Sequence, residues 1–232
     1  MARILTVVFV GLILANACPA QSTSVTDDAI LRALMPNGNW AEERNLKQFR
    51  RADEVRALKK AQLEAKGWRA VSIAYLLADL NYKYAANRKI VVDKHNSCRR
   101  EPYPHTLDCW DHVSEFLMGL FRRGDRPLLR PLLAMGGLPT DGAFSESLGS
   151  FYADTLRAKP RLFVKTLAGL PSKVQHADAM LAGYVDGGGM EPAMFRDVRR
   201  SLGRMSSNPS DPLAHVARLC LVEINKAHSQ TQ

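Results

Sequence analysis

Beyond its first 20 residues, the sequence has almost no signal for β-strands. The one run of β-branched residues there is Ile90-Val91-Val92, which is too short to begin a sheet. Hydrophobic residues make up 46% and charged residues 24% of the chain, as in an ordinary globular protein. The lack of strand patterns excludes sandwiches, barrels and alternating α/β folds. The sequence therefore predicts an all-α fold.

Recognisable catalytic motifs are also missing. The chain contains no Gly-x-Ser-x-Gly, Ser-x-x-Lys or His-Glu-x-x-His motif. The glycine run at residues 187–189 is not followed by a lysine and does not follow a strand, so it lacks the pattern of a phosphate-binding loop. We therefore predict a protein that is not an enzyme and has no cofactor.

Residues 1–20 have the pattern of a secretory signal peptide. Arg3 gives a positive start, the residues from Ile4 to Ala15 are almost wholly apolar, and small residues follow at Ala17 and Ala20. The apolar run is shorter than the roughly 20 residues that a membrane span needs. We expect cleavage after Ala20, or alternatively after Ala17, and export to the periplasm or the extracellular space.

Cys18 offers a second outcome for this leader. The residues from Leu14 to Cys18 loosely resemble a bacterial lipoprotein signal, so a lipid anchor on Cys18 is a minor alternative. No later stretch has the length and hydrophobicity of a membrane span. A mature chain of about 210 residues is long enough for one substantial core. Without Arg3, 31 Lys and Arg face 23 Asp and Glu, which gives a net charge of +8.

Prolines divide the second half of the chain at near-regular intervals. Pro127, Pro160 and Pro192 lie 33 and 32 residues apart, and each follows a charged residue and precedes a short apolar-periodic run. Proline suits the first turn of a helix but cannot continue an existing helix. Each proline is therefore predicted to begin the second helix of a hairpin, with a spacing typical of paired-helix repeats.

The middle unit, residues 143–171, shows this pattern most clearly. One apolar stripe with helical spacing precedes Pro160 and a second follows it. The two stripes comprise Leu148, Phe151, Tyr152, Leu156, Leu162, Phe163, Leu167 and Leu170. Because neither stripe is shielded from water alone, the helices must pack on each other and on neighbouring pairs. We predict stacked antiparallel helical hairpins, like an α-solenoid, with an irregular helical bundle as the alternative.

The predicted organisation has three parts after the leader. Residues 21–107 form an N-terminal helical region, with helices over residues 27–35, 40–66 and 68–86 and an irregular loop over 87–107. The helix over 68–86 is apolar on most sides and is expected to be central. The helical-hairpin region covers residues 108–228, and residues 229–232 are expected to be a disordered tail.

Cys98 and Cys109 are predicted to form a disulfide bond. They lie 11 residues apart in a chain that is expected to enter an oxidising compartment. Closing such a loop stabilises a protein by about 2–3 kcal/mol. Cys220 lies on the apolar face of the last predicted helix, where it is expected to be a small buried hydrophobic residue.

The same region allows an alternative, a metal site. His95, His105 and His112 lie close in sequence to the two cysteines, and two thiolates with two imidazoles can bind zinc. A second set comprises Asp108, His112 and Glu115, which share one helix face. The spacing matches no common zinc motif, and a disulfide would use both thiols. A metal-binding module or metal-dependent enzyme is therefore the alternative function.

Two groups of basic residues are candidates for binding an anionic ligand: Arg50, Arg51, Lys59, Lys60, Arg196, Arg199 and Arg200. A positive surface attracts anionic polymers through release of counterions. Because no aromatic residues are interleaved with them, specific recognition of nucleic acid is not expected. A protein or an anionic polymer of the cell envelope is the predicted partner, and solvation of exposed helices is the alternative explanation.

The hairpins between Cys109 and Met205 resemble a HEAT or armadillo-type helical repeat array. Members of such families act mostly as scaffolds or protein-binding surfaces, so the resemblance implies a binding role. Together with the leader and the basic charge, it leads us to expect an exported, non-catalytic binding or scaffold domain for a protein or an anionic envelope component.

Thiol counting tests the cysteine assignment. A chain cleaved after Ala20 and denatured without reductant is expected to show one reactive thiol, that of Cys220, and three after reduction. Three thiols before reduction would contradict the disulfide and favour the metal site. The mass of the purified chain serves as the control, because a retained Cys18 adds one thiol to the reduced count.

Overall fold

The computed structural model describes residues 26–38, 49–98, 100–101, 105–136, 142–183 and 192–230. These ranges contain eleven α-helices and no strands, which confirms the all-α class. The helices are α1 (Asp27–Leu34), α2 (Arg51–Gln62), α3 (Gly67–Asp79), α4 (Tyr84–Cys98), α5 (His105–Arg122), α6 (Leu129–Leu133), α7 (Gly142–Ala158), α8 (Pro160–Ala168), α9 (Ser172–Gly183), α10 (Pro192–Ser206) and α11 (Ala214–Gln230). None of them has the length and hydrophobicity that crossing a lipid bilayer requires.

The three regularly spaced prolines begin helices, as predicted. Pro160 and Pro192 are the first residues of α8 and α10, and Pro127 lies in the 3₁₀ turn that leads into α6. Lys159 alone separates α7 from α8. The N–H groups of a first helical turn have no acceptor within the helix, so a proline there removes no hydrogen bond.

The helices of the second half lie in two layers. Helices α7, α9 and α11 pack side by side in one layer, and α6, α8 and α10 lie in the other. The ring of Phe195 on α10 stacks on His228 of α11 with centroids 3.9 Å apart, and Arg218 of α11 reaches the carbonyl oxygen of Ser206 at 3.4 Å. These two contacts make α10 and α11 antiparallel, an arrangement compatible with a helical repeat array.

The first five helices pack in chain order, and α3 is at their centre. Each helix from α1 to α4 contacts the next one, and α3 also contacts α5. All residues of α3 from Val71 to Ala78 are buried, which confirms the central helix expected from its apolar circumference. Tyr75 of α3 stacks on Phe116 of α5 with ring centroids 4.5 Å apart. The core is therefore continuous from α3 into α5.

Two boundaries around α4 differ from the sequence prediction. The helix predicted over 68–86 ends at Asp79, where a turn with Asn81 and Lys83 at positive φ separates it from α4. The segment from residue 87, predicted as irregular, is helical up to Cys98. The buried stripe of this helix is narrow, and half of its residues are polar. The hydrophobic periodicity of the segment is therefore too weak to predict a helix. The stripe comprises Asn87, Val91, His95 and Cys98.

Several predicted features lie at the ends of the chain or in its loops. The predicted signal peptide and the glycine run at 187–189 lie outside the described residues, as does part of the helix predicted over 40–66. The described remainder of that prediction is too long, because α2 covers only Arg51–Gln62 and the backbone of Arg50 before it is extended. Helix α11 continues to Gln230, two residues into the segment expected to be a disordered tail, and the Ser229 hydroxyl donates to the Lys226 carbonyl oxygen at 2.8 Å. The helix therefore continues beyond its last apolar residue.

The predicted disulfide is present. Cys98, the last residue of α4, is bonded to Cys109 in the second turn of α5, with 5.5 Å between the two Cα atoms. The bond therefore holds two neighbouring helices together across their connecting segment. Cys220 of α11 is reduced and fully buried, in agreement with its predicted role as a small hydrophobic residue.

A buried carboxyl group lies where α9 meets α7 and α11. Asp178 of α9 is fully buried, and neither of its carboxyl oxygens has a hydrogen-bond partner among the described residues. A Cβ atom on Gly136 would lie 1.6 Å from Asp178 Oδ1, so the missing side chain leaves the space that the carboxyl fills. Burial raises the pKa of Asp178 to about 9. Burial, reinforced by Asp178, also raises the pKa of Cys220 to about 12.

Replacing Asp178 by Asn is expected to weaken the pH dependence of stability. The folded-state pKa of about 9 lies above the ordinary value of 3.8, so between pH 5 and 8 the folded state keeps a proton that the unfolded state has lost. The free energy of unfolding therefore falls as the pH rises, by up to about 1.4 kcal/mol per pH unit from this group. Asn cannot make this contribution.

Denaturant unfolding of the wild type and of Asp178→Asn at pH 5, 6.5 and 8 measures the two slopes. Asp154→Asn is the matched control, because Asp154 lies exposed on α7 and its replacement should leave the slope unchanged. Equal slopes for the wild type and Asp178→Asn would contradict a buried neutral carboxyl.

Candidate functional site

The two arginines predicted at the start of α2 make contacts within the protein. Arg51 donates from Nε and Nη2 to the Leu80 carbonyl oxygen, at 2.9 and 2.7 Å, although the two residues are 29 positions apart. This oxygen lies at the C-terminal end of α3, where a cation is favourable. Arg50 pairs with Asp53 at 2.8 Å, but its side chain is 86% exposed, so this contact contributes little. Arg51 is therefore mainly a structural residue.

The two predicted lysines of α2 also have partners. Lys59 Nζ lies 5.5 Å from the centre of the Tyr82 ring, within the range of a cation–π contact. Lys60 Nζ lies 3.8 Å from a carboxylate oxygen of Asp27 on α1. The basic charge of α2 is thus partly balanced by neighbouring groups.

The arginines of α10 have fewer such contacts. Arg196, Arg199, Arg200 and Arg204 are all exposed, on the side of α10 that faces away from the core. Asp197 lies 3.5 Å from Arg200, and both side chains are highly exposed. Within the described ranges, no carboxylate lies within ion-pair distance of the other three arginines. We call these four residues the arginine face of α10.

The predicted histidine and acidic ligands come together only in part: His105, Asp108 and His112 line one small pocket, in which His105 Nδ1 lies 3.9 Å from a carboxylate oxygen of Asp108. His95 is buried on α4, whereas His105 and Glu115 are exposed on α5. The ring of His112 lies edge-on to Trp68, with centroids 5.9 Å apart. The disulfide uses both thiols of this region. In the part of the chain that the structure describes, no group of three or more His, Cys, Asp or Glu side chains is placed to hold a metal ion.

A polar cleft lies where the turn between α3 and α4 meets the turn between α5 and α6. Its volume is about 710 Å³, and its polar lining comprises Asp79, Asn81, Tyr84, Arg88, Arg123 and Asp125. Gly124, with φ of 113°, is in the second turn, where a conformation unfavourable for other residues brings Asp125 back toward α4. The cleft thus combines side chains from two helices, α3 and α4, and two turns.

Asp125 organises one side of the cleft. It accepts a hydrogen bond from the Tyr84 hydroxyl at 2.5 Å and two from Arg88, through Nε and through Nη2 at 3.4 Å. The Asp125 side chain is 9% exposed and that of Arg88 29%. Burial, then the bond to Asp125, raises the pKa of Tyr84, so the hydroxyl keeps its proton at neutral pH. The bond to Asp125 also raises the pKa of Arg88.

Asp79 holds the second arginine of the cleft. Arg123 contacts it through Nε at 2.7 Å and donates through Nη2 at 2.8 Å, which is a bidentate pair. Asp79 is 4% exposed, whereas Arg123 is 59% exposed. Glu54 of α2 is also buried, and burial, followed by the charge of Asp79, raises its pKa. Asp79 neutralises the inner edge of Arg123.

Sequence reasoning missed this cleft for a definite reason. Its residues are spread over nearly 50 positions of the chain and form no motif. The turn that carries Asn81 was itself predicted as the interior of a helix. Comparisons of the chain with protein-family models, with curated proteins and with solved structures find no match. The function is therefore argued from the arrangement of its own residues.

Replacing Arg51 by Met is expected to destabilise the protein, since the variant loses two charged hydrogen bonds at the end of α3. A loss of about 1–2 kcal/mol in the free energy of unfolding follows from the usual strength of such bonds. Arg50→Met is the matched control: its side chain is 86% exposed, and its loss should change stability by less than about 0.5 kcal/mol. Urea unfolding of both variants checks this, and equal effects would contradict a structural role specific to Arg51.

Proposed function

We propose that this protein is an exported, non-catalytic binding domain that docks on a phosphate-rich anionic polymer through the arginine face of α10. The observation that carries this proposal is the accumulation of four exposed arginines on one helix, with Asp197 as the single carboxylate paired with them among the residues that the structure describes. Net charge alone would not locate a site, because part of the basic charge on α2 is balanced by neighbouring groups within the protein.

The chemistry of the face favours phosphate as the partner group. All four cations are arginines, whose planar guanidinium groups bind phosphate with two parallel hydrogen bonds. From Arg196 to Arg204 the helix rises about 12 Å, so the row of charges fits an extended polyanion better than one small ion. Because such binding releases counterions, it should weaken steeply as the salt concentration rises.

The fold supports a binding role for this face. Helices α10 and α11 are the last pair of the two-layer array, and the apolar side of α10 packs on α11, α7 and α8. The opposite side of α10 is left to the arginines. In a scaffold of the HEAT or armadillo type, to which we assign the array, binding surfaces are formed by such outer helix faces.

The disulfide supports the exported location. Bonds such as Cys98–Cys109 persist in oxidising compartments and are rare in the cytosol. An exported protein meets polymers of the cell envelope, and those that carry repeated phosphate groups fit the arginine face.

A triple variant of the arginine face tests the proposal. Arg196→Gln, Arg199→Gln and Arg200→Gln together are expected to weaken binding to a long-chain polyphosphate probe at least tenfold at low salt, because three of the four phosphate contacts are lost. Fluorescence anisotropy of the labelled probe at several salt concentrations gives the affinity and its salt slope, and the slope should decrease in the variant.

The control removes the same net charge elsewhere. Arg50→Gln, Lys59→Gln and Lys60→Gln on α2 are expected to weaken binding less than threefold. Equal losses in the two triple variants would show a general charge effect and contradict a site on α10. Tighter binding of poly-glutamate than of polyphosphate would also contradict the proposal, in favour of an acidic protein partner.

A further inference from the structure

The cleft between the two turns presents positive groups outward and negative groups inward. Arg123 is 59% exposed above Asp79, which is 4% exposed, and Arg88 is 29% exposed above Asp125, which is 9% exposed. A molecule entering the cleft therefore meets two guanidinium groups before it meets a carboxylate. Although the formal charges balance, the accessible surface is that of a cation pair.

The two guanidinium groups are held in the same way. Each uses its Nε and Nη2 atoms, one edge of the planar group, to contact the carboxylate behind it. Among the described residues, no carboxylate is bonded to Nη1 of Arg88 or of Arg123, and the Tyr84 hydroxyl lies beside Arg88. Each arginine thus keeps a second edge for a further anion, and the carboxylate fixes the orientation of that edge in advance.

Other groups of the cleft suit an organic molecule better than a bare ion. The Tyr84 hydroxyl donates a hydrogen bond to Asp125 and its oxygen also interacts with Arg88, which leaves a further lone pair of that oxygen for a ligand hydroxyl. Ala78 and Pro127 add apolar lining, and Asn81 adds an amide. The volume of about 710 Å³ lies within the range of small-molecule sites and far exceeds that of a single phosphate.

The backbone around the cleft is strained. Asn81 and Lys83 have φ of 54° and 42° in one turn, and Gly124 has φ of 113° in the other. Positive φ is costly for a side chain such as that of Lys83, and such residues occur preferentially at binding sites. The turn is nevertheless kept in place, because Arg51 binds the Leu80 carbonyl oxygen directly before it.

We propose that this cleft is a second binding site, for a small hydroxylated organic anion whose phosphate or carboxylate group is bound by the outer edges of Arg88 and Arg123. The site is independent of the arginine face of α10, which lies on the other half of the molecule. Tyr84 and Asn81 bind the uncharged part of the ligand, and Asp79 and Asp125 keep the two arginines in position.

Isothermal titration calorimetry with the mature protein tests this site with three probes: inorganic phosphate, glucose 6-phosphate and citrate. We expect glucose 6-phosphate or citrate to bind, and to bind more tightly than inorganic phosphate because only the larger anions reach Tyr84. Whichever of these two anions binds more tightly shows whether the site prefers a phosphate or a carboxylate group. Arg123→Met should weaken its binding at least tenfold, because one of the two cationic edges is lost.

Arg88→Lys is the second variant, since it keeps the charge next to the buried Asp125 while removing the second guanidinium edge. It should also weaken binding at least tenfold and leave the circular dichroism spectrum unchanged. Arg157→Met on α7 is the matched control, because Arg157 is exposed and paired with an aspartate 3.2 Å away, and it should bind like the wild type.

Several results would overturn the proposal. These are no binding of any probe, wild-type affinity in both Arg123→Met and Arg88→Lys, or loss of binding in the triple variant of α10. The last result would place the probe on the arginine face. If the cleft binds no probe, the binding of polyphosphate by α10 is unaffected. The two experiments therefore test the two sites separately.

Discussion

The structure depends on one constraint: each short helix has an apolar stripe that only another helix can cover. Fully burying one leucine or phenylalanine stabilises a protein by about 1.5–3 kcal/mol, but a helix of nine residues such as α8 cannot do this alone. A proline at the start of a helix prevents the preceding helix from continuing. The helices therefore stay short, and the chain reverses direction between them. The stripes of α7, α8, α9 and α11 then join in one core.

The features that follow from this constraint were predictable from the sequence, because their causes are local. Pro160 ends α7 and begins α8 through its own ring and missing N–H group, and the 11-residue separation of Cys98 and Cys109 allows a disulfide. The cleft has no local cause. Arg123 and Asp79 are 44 residues apart, and only the packing of α3 and α5 brings them together.

The same distinction separates arginines that look alike in the sequence. Arg50 and Arg51 are neighbours, yet Arg50 extends into solvent, whereas Arg51 binds the end of α3. Charge counting could not distinguish them, because the difference lies in a carbonyl oxygen 29 residues away. The arginine face of α10 was recognisable as a cluster, but only the positions of the neighbouring carboxylates show that, among the described residues, Arg200 alone of the four has an ion pair.

Gly136 and Asp178 have a consequence for how this chain can evolve. A methyl group at position 136 would lie 1.6 Å from Oδ1 and 2.8 Å from Cγ of the fully buried aspartate, so the carboxyl group would have to move. The side chains at the two positions therefore compete for the same space. Descendants of this sequence that gain bulk at position 136 should lose it at position 178, so substitutions at the two sites should occur as coupled pairs.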